Sequence, residues 1–401
     1  MDGNEVEGII EGFHEPELGG GCPIKIAAAI LKPDKWGRKR VVSGRGATPE
    51  EASSRCFSEA IERHAAVFNE AREITWGSQA SLGTAAIKPQ SLILMSEQQY
   101  SHTSVWNSQV NADHRLPPRF DENRSIAWIK AQSLITRRIW LVPAAYCYLG
   151  YPQAIEEGFP IPDSNGLASG DHLADAIYRA LLEVIERDAV SIWWYGRVNR
   201  PALKFDREKF PLWEPFEAWI RDSRRVFWLL DLTHDLGISV AAAISCDESG
   251  DNLSFGFAAG RTKKSAALSA MGELVQFEAT KRLQSQAHGA HLTGFVSWCM
   301  SAKLDDHRFI LPSDAASRQG VPPSTHGVIS LDLLRDNKLD ALVVDLGSEN
   351  LNANVVRVLV PGLRCIWPRF APGRLYDVPH KLGWHERPLN ETELNPIPIL
   401  Y

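Results

Sequence analysis

The chain has 401 residues, more than one hydrophobic core usually serves, so we expect a large single fold or two to three fused lobes. Lysine and arginine number 43, aspartate and glutamate number 49, and the formal net charge is −6. This mild acidity argues against a nucleic-acid-binding or anionic-membrane-binding protein, which would need a basic surface. A hydrophobic fraction of 44% is ordinary for a folded protein and excludes intrinsic disorder.

The cysteines and the hydropathy pattern favour a soluble, cytoplasmic protein. Six cysteines lie far apart without a C-x-x-C pair, which argues against a disulfide framework or a cysteine zinc site. No apolar run approaches the ~20 residues that cross a bilayer, and the first seven residues are acidic. We therefore predict neither a signal peptide nor a membrane anchor.

The N-terminal part of the chain is predicted to contain a lead-in and two strands before the first long helix. Residues 1–34 form the lead-in, which is loose and glycine-rich over 1–22 and ends in a strand at 24–31. A strand and a tight glycine turn over 41–46 then precede a helix at 51–70.

The rest of the chain alternates irregularly between strands and helices. Residues 78–125 are polar without clear period, which indicates a surface excursion. Helices are predicted at 126–134, 172–195 and 265–283, and strands at 139–148, 226–231, 238–245, 253–258, 341–346 and 355–360. The proline-containing tail at 390–401 cannot be helical. This order, without strict βαβ alternation, predicts a mixed α/β (α+β) fold.

One helical sequence pattern occurs three times in the chain. Residues 51–63 and 175–187 share six of thirteen positions, including a Glu-x-Ile-Glu-Arg end, and a third version lies at 265–276. The paired positions are Glu59 with Glu62, Glu183 with Glu186, and Glu273 with Gln276. The copies are spaced 124 and 90 residues apart, which argues against a solenoid.

The repeated acidic pairs predict a magnesium site. Residues three apart share one helix face, and the second helix is apolar nearly all round, as buried helices are. Two carboxylates ~5 Å apart repel by about 3 kcal/mol at an effective dielectric near 20, so a cation is needed. Mg²⁺ takes oxygen ligands and usually shares them with phosphates. We therefore predict metal ligands at Glu59, Glu62, Glu183 and Glu186.

An alternative interpretation needs no metal. Glu59 with Arg63, and Glu183 with Arg187, are also i,i+4 ion pairs of the kind found on solvated helices. Repetition of the motif and its place in an apolar helix favour the metal site over this alternative.

A glycine turn is a candidate phosphate site. Ser43-Gly44-Arg45-Gly46 precedes a helix, where main-chain N–H groups and Arg45 could hold phosphate. Glycine turns before helices are also common without any ligand. There is no Walker A motif, because Gly256 and Gly260 are too closely spaced.

Together these segments resemble the YcaO family, ATP-dependent enzymes that activate backbone amides of peptides. The resemblance rests on 43–48, 58–63, 164–170, 182–189 and 273–276, in that order. It covers roughly residues 35–401 as one catalytic domain, which includes the polar excursion and the tail. It implies a YcaO-type fold with an ATP site between helices and mixed sheets.

The resemblance also implies ATP and Mg²⁺ as cofactors. The implied nucleotide-binding residues are Ser43, Arg45, Glu59, Glu62, Asp171, Asp175, Glu183, Glu186, Arg187, Glu273 and Gln276. The chain departs from the family's usual residues at four positions: Arg55 replaces serine, Asp171 asparagine, Asp175 glutamate, and Ser269 arginine.

The tail points to one branch of the family. Pro396-x-Pro398, with Leu400 in place of a third proline, is similar to the Pro-x-Pro-x-Pro end of azoline-forming cyclodehydratases. The region at 360–363 looks like that of thiazole/oxazole-modified microcin synthetases. The implied catalytic residues are Arg187, Pro396, Pro398 and Tyr401. The alternative is a rigid polyproline-type strand on the surface.

The resemblance implies an ATP-dependent cyclodehydratase that converts Cys, Ser or Thr of a ribosomal precursor peptide into thiazoline or oxazoline during bacteriocin or microcin maturation. It further implies a leader-binding partner similar to ubiquitin-activating enzymes, often a flavin-dependent dehydrogenase, and a homodimer within a larger complex. Two other hypotheses remain: peptide thioamide formation, and a catalytically silent scaffold subunit.

Overall fold

The computed structural model describes residues 8–19, 21–69, 72–109, 115–288, 294–314, 329, 331–347 and 353–399. The strands in these ranges are β1 (Ile10–His14), β2 (Lys25–Leu31), β3 (Val41–Gly46), β4 (Thr75–Gly77), β5 (Ile126–Ser133), β6 (Ile139–Pro143), β7 (Leu167–Gly170), β8 (Arg225–Asp231), β9 (Ser239–Asp247), β10 (Ser254–Gly260), β11 (Leu342–Asp345) and β12 (Asn354–Leu359).

The helices in the same ranges are from 4 to 26 residues in length. They are α1 (Pro49–Ala65), α2 (Gln79–Leu82), α3 (Gln90–Ile93), α4 (Glu97–Ser101), α5 (Thr103–Gln109), α6 (Ala144–Cys147), α7 (Leu173–Tyr195), α8 (Trp213–Asp222), α9 (Lys263–His288), α10 (Gly294–Ser301), α11 (Leu331–Asp336) and α12 (Arg374–Lys381). Short 3₁₀ turns lie at Gly83–Ala85, Leu304–Ile310 and Glu391–Glu393.

The strands form three antiparallel sheets. Their orders are β1-β2-β3, β10-β9-β8 and β4-β5-β11-β12-β7, with β6 paired to β5. Each sheet has a long helix beside one edge strand: α1 follows β3, α7 follows β7 and α9 follows β10. The mixed α+β prediction is confirmed.

Four element predictions differ from the structure. Residues 126–134, predicted as a helix, form β5, where burial alternates from Ile129 to Ser133 because this strand lies inside a sheet. The predicted strand at 139–148 ends at Pro143 and continues as α6, and the helix predicted to residue 70 ends at Ala65. The lead-in contains β1, which pairs with β2, so the first sheet extends across residue 34.

The largest apolar core surrounds the C-terminal half of α7. Trp193, Trp194 and Phe255 are almost fully buried there, with the Trp194 and Phe255 rings 5.7 Å apart. Burying aromatic side chains of this size contributes about 2–3 kcal/mol each relative to exposure. The core therefore fixes α7, which carries the second acidic pair, against β10. All six cysteines are buried free thiols.

Within the described ranges, no helix is both long enough and apolar enough to cross a membrane.

Gly256 on β10 should be irreplaceable, because a Cβ there would lie 2.2 Å from both the Ala270 oxygen and the Leu274 nitrogen of α9. We expect Gly256→Ala to lower the free energy of unfolding by about 2–3 kcal/mol, since the helix must move away from the strand. The matched control is Gly12→Ala on β1, where a Cβ meets nothing within 4 Å. Urea unfolding of both variants measures the difference; equal midpoints would show that the close approach is not needed.

Candidate active site

Three strand–helix units have the same spacing between the end of the strand and the start of the helix, and this spacing positions the acidic pairs. β3 ends at Gly46 with α1 starting three residues later, and β7 and β10 end at Gly170 and Gly260 with the same spacing to α7 and α9. A Cβ on these glycines would lie 2.8, 2.8 and 2.6 Å from the nitrogens of Ala52, Ala176 and Ala266. Glycine therefore allows the same close packing of helix on strand in each unit.

The first acid of each unit bonds the strand segment of its own unit. Glu59 accepts the Ser43 N–H at 3.0 Å, Glu183 the Gly166 N–H at 3.2 Å, and Glu273 the Phe257 N–H at 2.7 Å. The donor lies three residues before the terminal glycine of the strand in the first and third units, and four residues before it, just ahead of β7, in the second unit. The alignment of three helices in the sequence is thus matched by three similar hydrogen bonds, with the donor of the second unit shifted by one residue.

The second position of each unit contacts the strand of the next unit. The Glu62 carboxylate interacts with the Ser169 N–H of β7, and Glu186 accepts the Ala259 N–H of β10 at 2.9 Å. Gln276 completes the cycle: it accepts from the Arg45 guanidinium at 3.0 Å and donates to the Ser43 hydroxyl of β3. The three units therefore close into a ring.

The first acidic pair and part of the second line one open cleft of about 400 Å³. The other lining residues come from all three units, and the full set is Ser43, Gly44, Arg45, Arg55, Ser58, Glu59, Glu62, Leu167, Ala168, Ser169, Arg179, Glu183 and Ser269. The predicted glycine turn and three of the four predicted metal ligands thus lie in the same cleft.

Burial and mutual repulsion disfavour the charged form of these acids. Burial raises the pKa of Glu62 to about 8; Arg63 lowers it, and Glu183 and Glu59 raise it further. Burial likewise raises the pKa of Glu183 despite the nearby Arg187. The protein alone therefore leaves negative charge in the cleft incompletely compensated.

Two arginines lie beside the acids, as the ion-pair alternative predicts. Arg63 lies 2.9 Å from Glu59, and Arg187 lies 3.6 Å from Glu183 and 3.5 Å from Glu186. The Glu183 side chain is 24% exposed, so it is neither on a solvated face nor fully enclosed. The ion pairs exist, but the acids face a cleft instead of open solvent, which keeps them accessible to a cation.

The residues fit Mg²⁺ that is shared with phosphate. In the part of the chain that the structure describes, no three His, Cys, Asp or Glu side chains form a metal-binding group by themselves. Mg²⁺ is usually held by one or two carboxylates, with substrate phosphates and water as its other ligands. Glu59, Glu62 and Glu183 on one cleft can supply such partial ligand sets.

Several predicted site residues lie outside the cleft lining. Glu186 and Glu273 bond β10, and burial raises the pKa of Glu186 to about 8, with Glu273 raising it further against the effect of Arg187. Asp171 and Asp175 are exposed around the start of α7. Their predicted contacts with nucleotide stay predictions.

The described part of the tail lies at the far end of α7. The Asn395 main-chain N–H donates to the Tyr195 main-chain oxygen at 2.8 Å, and the Trp194 indole N–H donates to the Ile397 main-chain oxygen at 2.7 Å. Twelve residues of helix separate Tyr195 from Glu183, about 18 Å at 1.5 Å per residue. Pro396 is exposed and Pro398 half-buried, while Tyr401 lies outside the described residues. The catalytic role of the tail stays a prediction.

The sequence interpretation placed neither of two further arginines in the site, and it named Arg55 only as a departure from the family's usual residues. Arg55 and Arg179 both line the cleft, each four residues before the first acid of its helix. The signal was present, because the arginine is one of the identical positions in the aligned segments 51–63 and 175–187.

Comparison with known proteins assigns the class of this site. The family described as "YcaO cyclodehydratase", ATP- and Mg²⁺-binding, matches residues 43–364. The chain therefore belongs to the YcaO family, and the predictions of family and of ATP and Mg²⁺ as cofactors are confirmed.

Particular relatives agree with this assignment. The chain is similar to an uncharacterized protein of Methanothermobacter thermautotrophicus, with 28% identity over 363 residues that cover 85% of this chain and 86% of the relative. A heterocyclase solved in complex with substrate and cofactor is 31% identical, with a TM-score of 0.86, over 98% of this chain and 55% of its own. The heterocyclase TruD is 32% identical, with a TM-score of 0.75, over 89% of this chain and 51% of its own. The chain thus spans about half the length of these two heterocyclases.

The raised pKa of Glu62 predicts a pH-dependent stability. Its neutral form is favoured on folding, so the stabilisation is present below the ordinary pKa of 4.5 and is lost as pH rises towards about 8. We expect Glu62→Gln to raise the free energy of unfolding by about 1 kcal/mol more at pH 8 than at pH 4, a value reduced by screening from cleft water.

Urea unfolding of ligand-free protein at the two pH values measures this effect. The exposed Glu248→Gln on the β9–β10 turn is the control and should show no such difference. A Glu62→Gln effect that is the same at both pH values would contradict the assigned electrostatics.

Proposed function

We propose that the protein is an ATP-dependent cyclodehydratase that forms azolines in a ribosomally made precursor peptide, as in bacteriocin or microcin maturation. One observation carries the proposal: Glu59, Glu62 and Glu183, from two helices far apart in sequence, line a single cleft beside the Ser43–Gly46 turn. Membership of the YcaO family and 31% identity with a heterocyclase support the reaction class.

The proposed chemistry activates an amide oxygen as a leaving group. A Cys, Ser or Thr side chain of the peptide loses its proton and attacks the preceding amide carbon. The former carbonyl oxygen takes the γ-phosphoryl group of ATP, which leaves ADP. The attack has closed the ring, so the carbon–oxygen bond to phosphate then breaks, the amide nitrogen loses its proton, and a carbon–nitrogen double bond forms, which leaves a thiazoline or oxazoline and free phosphate.

The protein's part in this reaction is positioning and charge compensation, on which phosphoryl transfer mainly depends. Glu59, Glu62 and Glu183 would hold Mg²⁺, which, when bound, neutralises charge on the phosphates. Their hydrogen bonds to strand N–H groups fix one oxygen of Glu59 and of Glu183. The other oxygen of Glu59 accepts from Arg63, and the other oxygen of Glu183 lies 3.6 Å from Arg187, so Mg²⁺ would share these oxygens with the arginines. Arg187, which lies between Glu183 and Glu186, would contribute positive charge behind the pair.

The proposal includes partners. The chain spans about half the length of the two similar heterocyclases. We propose that a leader-binding protein similar to ubiquitin-activating enzymes presents the peptide, that a flavin-dependent dehydrogenase can oxidise the azolines, and that the protein acts as a homodimer in this cytoplasmic complex.

Glu183→Gln should abolish ATP consumption while the fold stays intact. The amide oxygen of glutamine can still accept the Gly166 N–H, but the charge that holds Mg²⁺ is gone. We expect peptide-dependent ATP turnover to fall at least roughly hundredfold, the scale of losing one preorganised electrostatic contact. Turnover is measured with precursor peptide, partner protein and Mg-ATP, and folding by the thermal unfolding midpoint.

The control for this experiment is Glu214→Gln on the exposed side of α8, which should leave turnover unchanged. Unchanged turnover in Glu183→Gln would refute the assignment of the metal site.

The mass of the peptide product identifies the reaction. A cyclodehydratase removes one water equivalent for each ring, whereas thioamide formation exchanges one oxygen for sulfur. We expect the loss of water. Replacement of oxygen by sulfur would overturn the proposed reaction, and nucleotide binding without turnover, for every peptide and partner tested, would favour the scaffold hypothesis.

A further inference from the structure

Three symmetry-equivalent helix positions face the same cleft. Arg55 of α1, Arg179 of α7 and Ser269 of α9 each lie four residues before the first acid of their helix, and all three line the cleft. Each of the three units therefore contributes one of these positions to the same cleft. Two of them carry a guanidinium and the third a hydroxyl.

The two arginines keep most of their charge available to a ligand. Arg55 donates to the Arg45 main-chain oxygen at 2.6 Å, and Arg179 donates to the Ser169 main-chain oxygen at 3.3 Å. Both acceptors are neutral. Arg55 lies 3.9 Å from Glu51, but these side chains are 63% and 51% exposed, so the pair is weak.

A third arginine extends this positive edge of the cleft. Arg45 donates to the neutral amide of Gln276 at 3.0 Å and lies against Gly272, where a Cβ would meet its Cδ at 2.7 Å. Glycine inside α9 is unfavourable by roughly 1 kcal/mol relative to alanine, and here it makes room for the arginine. The cleft thus has carboxylates that need cations and guanidinium groups suited to bidentate contact with phosphate.

We propose that Arg55 binds the phosphates of the nucleotide together with Arg179, and that Ser269 is an equivalent position from which an arginine could replace Arg55. The ligand is a nucleoside triphosphate with its Mg²⁺, whose metal-bound side faces the glutamates and whose remaining phosphate oxygens face the arginines. This inference rests on the proposed function, because it places the nucleotide in the same cleft.

Calorimetry tests the proposal by measuring the affinity for Mg-AMPPCP, a nucleotide analogue that resists hydrolysis. Arg55→Ser should weaken binding roughly tenfold or more, the effect of losing a charge-assisted hydrogen bond. Adding Ser269→Arg to this variant should restore affinity to within about threefold of wild type, since both positions line the same cleft. Ser269 is exposed, so the larger side chain requires no repacking.

A matched control separates position from net charge. Arg55→Ser with Ser54→Arg keeps the charge of α1 but moves it to an exposed position outside the cleft lining, so it should remain weak. Rescue by Ser54→Arg as complete as that by Ser269→Arg would overturn the proposal, because only general electrostatic attraction would then be at work. Unchanged binding in Arg55→Ser would overturn it directly.

The experiment distinguishes failure of this inference from failure of the proposed function. Wild-type protein that binds Mg-AMPPCP with the predicted pattern of variants, yet forms no ring in any peptide, would support the phosphate contacts and refute the cyclodehydratase. Ring formation by the wild-type protein, together with an unaltered nucleotide affinity in Arg55→Ser, would support the cyclodehydratase and refute the phosphate contacts.

Discussion

The site depends on how closely three helices approach the strands that precede them. Gly46, Gly170 and Gly260 lack the Cβ that would collide with the first turn of each helix. At this separation a glutamate further along each helix reaches a main-chain N–H of the strand segment in its own unit. The strand donor orients the carboxylate and fixes one of its oxygens. Without this packing, the acids would be three unrelated side chains on three helices.

This arrangement leaves unfavourable electrostatic interactions among the buried carboxylates of the ligand-free cleft. The pKa of Glu62 is raised to about 8 by burial first, with its acidic neighbours adding to the effect, so proton or cation uptake relieves these interactions. The ion pairs Glu59–Arg63 and Glu183–Arg187 moderate them without removing them. A site that must attract Mg²⁺ with phosphate benefits from such incomplete compensation, because full neutralisation within the protein would leave little driving force for binding.

The sequence predicted the parts of the site that repeat and missed those that depend on tertiary pairing. The acidic pairs were visible because helical periodicity and repetition are local properties, and the same alignment already contained Arg55 and Arg179. The helix predicted at 126–134 is wrong, because pairing with β4, β6 and β11 makes residues 126–133 a strand. The cyclic contact between units could not be predicted, since it joins residues such as Gln276 and Arg45 across most of the chain.

The glutamine in the third unit explains why the ring is not fully acidic. A glutamate at position 276 would accept from Arg45 but could not donate to the Ser43 hydroxyl, as the amide does. It would also bring a sixth carboxylate into the ring, and two charged carboxylates ~5 Å apart repel by about 3 kcal/mol at an effective dielectric near 20. The amide instead ties the glycine turn to α9 without adding charge and leaves the Arg45 guanidinium positive. The departure from strict repetition therefore makes the contact between the third and first units differ from the other two contacts of the ring.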